Sequence, residues 1–305
     1  MNLDEKLYLN RSAIVFRAYL RLCKPKVVLL LIVTAWVGMQ LANKSQVSIS
    51  IMFIAIIGIA LVASSAAVIN HLVDVNIDKK MMRTQNRPLV TGYIAKPQAL
   101  LFALSMALSG IGLLIVYVNL LTALLTIAGL IGYAFIYTVY LKHKTPQNIV
   151  LGGLAGALPP VLGWTSITNA INVEPLLLML IIFVWTPAHF WALAIDRVED
   201  YKKANVPMLP VIYGIDYTKN WIIFYSFALL IASLLPYIQG MSTELYLICA
   251  ILLGSWFLYH SIKLKLAPNA HSAIKTFRVS IIYLFLLFFA LLVDHFVVYR
   301  PSYFF

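Results

Sequence analysis

The chain has 305 residues, of which 62% are hydrophobic and only 11% charged, and its formal net charge is +12. Its mean hydropathy of +0.90 and an apolar share well above the roughly 45–50% of soluble domains exclude an ordinary soluble fold. Scattered basic residues argue for a membrane surface rather than nucleic acid, and two cysteines, Cys23 and Cys249, argue against a disulfide framework or a Cys/His zinc site.

In chain order, residues 1–26 form a polar N-terminal segment without the short apolar core of a cleaved signal. Arg17, Arg21 and Lys24 follow an i, i+4, i+7 spacing among Ile14, Phe16, Tyr19, Leu20 and Leu22. That pattern predicts a short cytoplasmic helix at the lipid headgroups. Apolar runs follow at about 27–43, 48–69, 99–117, 119–141, 149–168, 173–195, 220–238, 243–264 and 277–299. Each is long enough to cross a hydrocarbon core of ~30 Å as a helix. The predicted architecture is therefore all-α, with about nine transmembrane helices in one bundle over 27–299 and a short external tail over 300–305. The division of 99–141 into two spans rests on length and on Asn119 as a turn.

Alternating the connections across the bilayer puts 21 of the 23 Lys and Arg on one side, leaving Lys44 and Arg300 for the other. The positive-inside rule then predicts a cytoplasmic N-terminus. The predicted cytoplasmic ends of the second and sixth spans both carry acidic clusters. The first is the stretch Asn70 to Pro88, with Asp74 and Asp78 among Lys79, Lys80, Arg83 and Arg87; the second is Asp196-Arg197-Val198-Glu199-Asp200-Tyr201-Lys202-Lys203. Each leads into a similar phrase, Arg87-Pro88-Leu89-Val90-Thr91-Gly92 and Pro207-Met208-Leu209-Pro210-Val211-Ile212-Tyr213-Gly214, which hints at duplication of a four-helix unit.

Asn70, Asp74 and Asp78 are spaced i, i+4, i+8, and Asp196 and Asp200 repeat the i, i+4 step. Carboxylates four apart on a helix repel unless a cation lies between them. Oxygen ligands of this kind suit Mg²⁺, which is commonly shared with substrate phosphates. The nearby cations would compete with a bare metal but fit a polyanion that bridges metal and cations. A diphosphate on a membrane-soluble tail is the simplest such ligand, with Arg83 and Arg87 able to take its oxygens in bidentate fashion. Solvated or capping carboxylates are the bland alternative, and two clusters on one side count against it.

The spacing Asn70-xxx-Asp74-xxx-Asp78, with Asp196-xxx-Asp200 later, resembles the UbiA superfamily of intramembrane prenyltransferases. Met82-Arg83-Thr84-x-x-Arg87-Pro88-Leu89-x-x-Gly92 and Trp185-Thr186-Pro187-x-His189-Phe190-Trp191 resemble its heme-farnesylating branch, as does Pro207-Met208-Leu209-Pro210-Val211. The likeness runs from Lys24-Pro25-Lys26 to the last helix. It implies farnesyl transfer from farnesyl diphosphate to a vinyl group of heme b, giving heme O. It also implies a bacterial inner membrane and a terminal oxidase as recipient of the product. Metal ligands by this resemblance are Asn70, Asp74, Asp78, Asp200 and, matched through the wider superfamily, Asp196. Asn70, Lys79, Arg83, Arg87 and Lys202 are the diphosphate candidates, and His189 and Trp191 the heme candidates.

An intramembrane histidine is a functional hypothesis by default, and the imidazole is a familiar axial ligand of heme iron. His71, inside the acidic motif, is placed to touch diphosphate instead. Phe190, Trp191 and Trp164 are candidates for stabilising a cation. Gly152-Gly153-Leu154-Ala155-Gly156 predicts close helix packing, with an interruption at Pro159-Pro160. His260, His271, His295 and Asp294 read as interface or loop residues. The rival readings are a prenyltransferase for an aromatic quinone precursor, a secondary transporter, and a heme-binding assembly factor without turnover.

Overall fold

A computed structural model describes residues 14–42, 48–266 and 271–299. The predicted tail 300–305, together with Lys44 and Arg300, lies outside the described residues. Nine helices are long and apolar enough to cross a membrane, and no strand occurs among the described residues. They are α1 (Pro25–Ala42), α2 (Ile49–Asp78), α3 (Lys96–Tyr117), α4 (Leu120–Leu141), α5 (Asn148–Thr168), α6 (Val173–Asp196), α7 (Ile215–Ile238), α8 (Glu244–Leu266) and α9 (Ser272–Val297). The break between α3 and α4 falls at Asn119. Its side chain accepts the Thr122 N–H at 2.8 Å as an N-cap and donates to the Thr165 carbonyl at 2.9 Å.

Three helices differ from simple regular spans. α2 continues for nine residues beyond its predicted apolar run, to Asp78. Its 30 residues rise about 45 Å, longer than the hydrocarbon core is thick. The polar Asn70–Asp78 stretch is thus helix, not loop. α4 widens into a π-helix over Gly132–Leu141, where the Thr138 hydroxyl donates to the Tyr133 carbonyl at 2.8 Å. α5 is jointed at Leu158, between helical segments Asn148–Ala157 and Pro159–Thr168, as the two prolines predict.

Helix pairs close where small residues let backbones meet. A Cβ on Gly163 of α5 would lie 1.8 Å from the Ala35 carbonyl oxygen of α1, and one on Gly38 of α1 would lie 2.2 Å from the Pro160 oxygen. With no hydrophobic drive between helices in lipid, such close packing is what holds a bundle together. α2 packs chiefly on α3, α6 on α7 and α9, and α8 on α7 and α9. The largest buried cluster joins α6, α7, α8 and α9 through Leu178, Trp191, Ile222, Leu229, Phe257 and Tyr283.

Three expectations are sharpened or corrected. The N-terminal segment is helical over 14–22, and Ala18 and Leu22 pack against Val68 and Val75 of α2 and Ala99 and Ala103 of α3. Phe16 stays 65% exposed. The segment is therefore docked on the bundle by one face. Asp294, read as an interfacial charge, is buried and accepts the backbone N–H groups of Thr243 at 2.9 Å and Tyr246 at 3.1 Å, with the Thr243 hydroxyl as a third donor. It satisfies the orphan donors at the start of α8, which nothing local in the sequence announces. His295 beside it is likewise buried.

Candidate active site

The site begins with the polar end of α2. Helical spacing places Asn70, Asp74 and Asp78 along one stripe, and all three are buried, at 4% exposure or less. The Asn70 amide donates to Asp74 Oδ2 at 2.9 Å and to Thr138 Oγ1 of α4 at 3.2 Å, and its carbonyl oxygen accepts from the Lys24 ammonium. Lys24 reaches it from a left-handed backbone (φ 49°) at the joint between the N-terminal helix and α1. Few residues other than glycine adopt that region, and such strain is found where a side chain must be aimed. Burial, and secondarily Arg87, bring the Lys24 ammonium down to about 8, while Asp74 and Asp78 pull it the other way.

Each carboxylate commits one oxygen to a cation. Lys142, just past the π-helical part of α4, meets Asp74 Oδ2 at 2.6 Å, and Arg87 meets Asp78 Oδ2 at 2.6 Å. These two cations relieve the repulsion between carboxylates four residues apart. Thr84 donates to the Asp78 backbone carbonyl at 3.0 Å and ties the following connection back onto the helix end. What remains unserved is specific: Asp74 Oδ1 and both ring nitrogens of His71 are buried without a partner. Unpaired buried polar atoms are exceptions that call for an explanation.

The second acidic cluster lies opposite. Asp196 is the last residue of α6, and Asp200 sits on a short helix, Val198–Lys203. A cleft of about 430 Å³ is lined by Met82 and Arg83 from the α2–α3 connection and by Asp196, Arg197, Val198, Glu199 and Asp200 from the α6–α7 connection. The fold thus brings Met82 and Arg83 of the first stretch to one cleft with the second cluster, while Asn70, Asp74 and Asp78 do not line it. Asp196 is engaged by Arg197 Nε at 3.0 Å. Burial pushes the Tyr201 phenol up, with the Arg83 guanidinium pulling it the other way. Lys202 pairs with Glu199 at 2.9 Å on the surface, and Lys79 is exposed, so neither joins the acidic stripe here.

Among the described residues, no three His, Cys, Asp or Glu side chains converge as a ready metal cage. The donor chemistry nevertheless suits Mg²⁺, which needs only one or two carboxylates beside substrate phosphates and water. The orphaned Asp74 Oδ1 is a free ligand for it, and Asp78, Asn70 and Asp200 add further hard oxygens. Lys24, Thr84, Thr138 and Lys142 were not legible as site residues. The only signal for Lys142 was its place as the first charge after an apolar run, on the same side as Asp74.

His189, on α6, is buried between rings: Trp185 stacks on it at 4.1 Å between centroids and Phe277 of α9 at 4.4 Å. Its Nδ1 meets Ser280 Oγ at 2.7 Å, and Trp185 donates to the Ser280 carbonyl at 2.8 Å. Phe190 lies edge-on to His189 and is 39% exposed. Trp191 is fully buried on a different side of α6, edge-on to Tyr225 of α7, and its indole N–H has no acceptor. The structure therefore does not bring Trp191 beside His189. Trp164 donates to Asn172 at 3.0 Å, at the end of the bundle away from the acidic clusters.

Comparison with known proteins shows the family and the fold. Residues 31–294 match the model of the UbiA prenyltransferase family. The chain is 53% identical over 287 residues to protoheme IX farnesyltransferase 2 of Pseudoalteromonas atlantica, covering 94% of each chain. It is 56% identical over 281 residues to protoheme IX farnesyltransferase 1 of Pseudomonas fluorescens, covering 92% of this chain and 94% of that one. Among solved structures, a digeranylgeranylglyceryl phosphate synthase superposes with a TM-score of 0.77 at 21% identity, covering 92% of this chain and 98% of that one. A UbiA homologue from Archaeoglobus fulgidus, bound to DMAPP and Mg²⁺, superposes with a TM-score of 0.70 at 19% identity, covering 90% and 98%.

Proposed function

This chain belongs to the UbiA prenyltransferase family, and we propose that it transfers the farnesyl group of farnesyl diphosphate to a vinyl group of heme b, making heme O and releasing diphosphate. The observation that carries this reading is the high identity, over more than nine-tenths of the chain, to relatives named for that activity. The site supports it with cation-paired carboxylates at the end of α2 and a neighbouring cleft where Arg83 meets Asp196 and Asp200.

The chain's own groups divide the work. Asn70, Asp74, Asp78 and Asp200, with Asp196 at the cleft rim, are the oxygen donors that would hold Mg²⁺ against the diphosphate. When bound, the metal supplies positive charge that polarises the phosphate oxygens. Arg83 and Arg87 stabilise charge on the departing diphosphate as the allylic C–O bond breaks and its electron pair stays with oxygen. The vinyl carbon of the heme then attacks the farnesyl cation, and water captures the resulting porphyrin-side cation with loss of a proton. Burial of the motif within the bundle keeps bulk water from the first cation. His189 is the proposed contact to heme iron: Ser280 takes Nδ1, which fixes the ring and leaves Nε2 for the metal.

The membrane is the cytoplasmic membrane of a bacterium, with the acidic mouth on the basic, cytoplasmic side. A terminal oxidase or a heme-modifying enzyme is the downstream recipient. Mass spectrometry of membrane hemes tests the reading: heme O accumulates with the wild-type chain and not with Asp78→Asn. Prenylation of a hydroxybenzoate with heme b left unchanged would overturn it.

A further inference from the structure

His71 is a buried polar group of the acidic motif that the roles above do not use. It is 4% exposed, and neither ring nitrogen has a hydrogen-bond partner. An unmet buried donor or acceptor costs about 1–3 kcal/mol, so an apolar residue would serve packing better. Its place on α2 is informative. At 3.6 residues per turn, Asn70, Asp74, Asp78 and His71 fall within a sector of roughly 100°, so His71 shares the face that presents the carboxylates. Asp74, three residues on, carries the other orphaned atom, Oδ1. Two unserved polar groups one turn apart on one face mark a place that receives a polar ligand.

The surrounding cations do not satisfy the imidazole. Lys24 is committed to Asn70, Lys142 to Asp74 and Arg87 to Asp78, and all are donors, unable to accept the imidazole N–H. A neutral imidazole always carries one N–H, which needs an acceptor. Depth identifies that acceptor. His71 lies ~4.5 Å deeper along the helix than Asp74, on the bilayer side of the carboxylates. A prenyl diphosphate lies with its chain towards the bilayer and its terminal phosphate towards the charged connection. The group at the height of His71 is then the phosphate that carries the prenyl carbon.

We propose that His71 donates a hydrogen bond to the prenyl-bearing phosphate of the diphosphate substrate, on the prenyl-transfer reading above, and steadies the charge that grows there as the C–O bond breaks. The imidazole keeps its proton throughout, and the bonding electron pair passes to the phosphate oxygen. A donor aimed at developing charge acts more on the transition state than on binding.

The test compares wild type, His71→Phe and His71→Gln as full-length protein in detergent or liposomes. With farnesyl diphosphate and heme b, His71→Phe is expected to lower kcat on the order of 10²-fold, with a much smaller change in KM. His71→Gln restores an N–H and recovers most of that loss. Independently of turnover, inorganic pyrophosphate with Mg²⁺ raises the thermal midpoint of wild type and His71→Gln, and raises that of His71→Phe markedly less. A folded His71→Phe with wild-type kcat and pyrophosphate shift overturns the proposal, as does a His71→Gln no better than His71→Phe. If wild type makes no heme O, the reaction assignment falls, and the pyrophosphate shift still decides the role of His71.

Discussion

Replacing Lys142 with methionine isolates the competition between the protein's own cations and a metal for the acidic motif. Lys142 Nζ lies 2.6 Å from Asp74 Oδ2, with side-chain exposures of 13% and 3%. At that distance and an effective dielectric of about 20, the attraction is roughly 6 kcal/mol before desolvation is subtracted. Removing one partner of such a buried pair typically costs about 3–5 kcal/mol, because the other charge is stranded. For a chain of this size that corresponds to a fall in thermal midpoint on the order of 10 °C. Mg²⁺ restores a counter-charge to the stranded carboxylate, and in the variant it no longer has to displace an ammonium. Differential scanning fluorimetry of the purified protein, titrated with Mg²⁺, reads both effects. The variant should start lower, gain more from Mg²⁺ than wild type does, and reach half of its gain at a lower Mg²⁺ concentration. Equal gains in the two proteins would refute the reasoning that Asp74 is a metal ligand held by Lys142 until the metal arrives.

Three other expectations follow from single contacts. Gly163→Ala drives a Cβ into the Ala35 carbonyl and should lower the yield of folded protein sharply, whereas Gly156→Ala, on the same helix with open space around it, should be neutral in the same size-exclusion assay. Asp294→Ala leaves the first turn of α8 without its acceptor and should cost about 1–2 kcal/mol of stability by thermal melt, with turnover per folded molecule unchanged. His189→Phe keeps the ring stack and removes the proposed iron ligand; the Soret spectrum of bound heme b should shift to that of a changed axial ligation, while Mg²⁺-pyrophosphate stabilisation persists.

Relatives at more than 50% identity give the reaction class, and structures near 20% identity share the fold. That geometry also shows where the acidic stretch is incomplete by itself. Asn70 to Asp78 is anchored by Lys24 from one end of the chain's helices and by Lys142 from the end of the fourth, neither of which the motif contains.

The sequence by itself determined what depends on local pattern: a membrane chain, nine spans, their alternation, and a stripe of Asn70, Asp74 and Asp78 on one helix face. Run length and helical period are properties of neighbours in sequence, so these could be read directly. Only the tertiary structure decided which cation meets which carboxylate, because Lys142 and Asp74 are 68 positions apart and meet only where α4 and α2 adjoin. It also decided that Arg83 shares a cleft with Asp196 and Asp200, that Ser280 of α9 fixes the ring of His189, and that Trp191, two residues on, turns towards α7. Helix adjacency and rotation are set by the sum of many small packing contacts, such as Gly163 against Ala35, and no single stretch of sequence carries that sum.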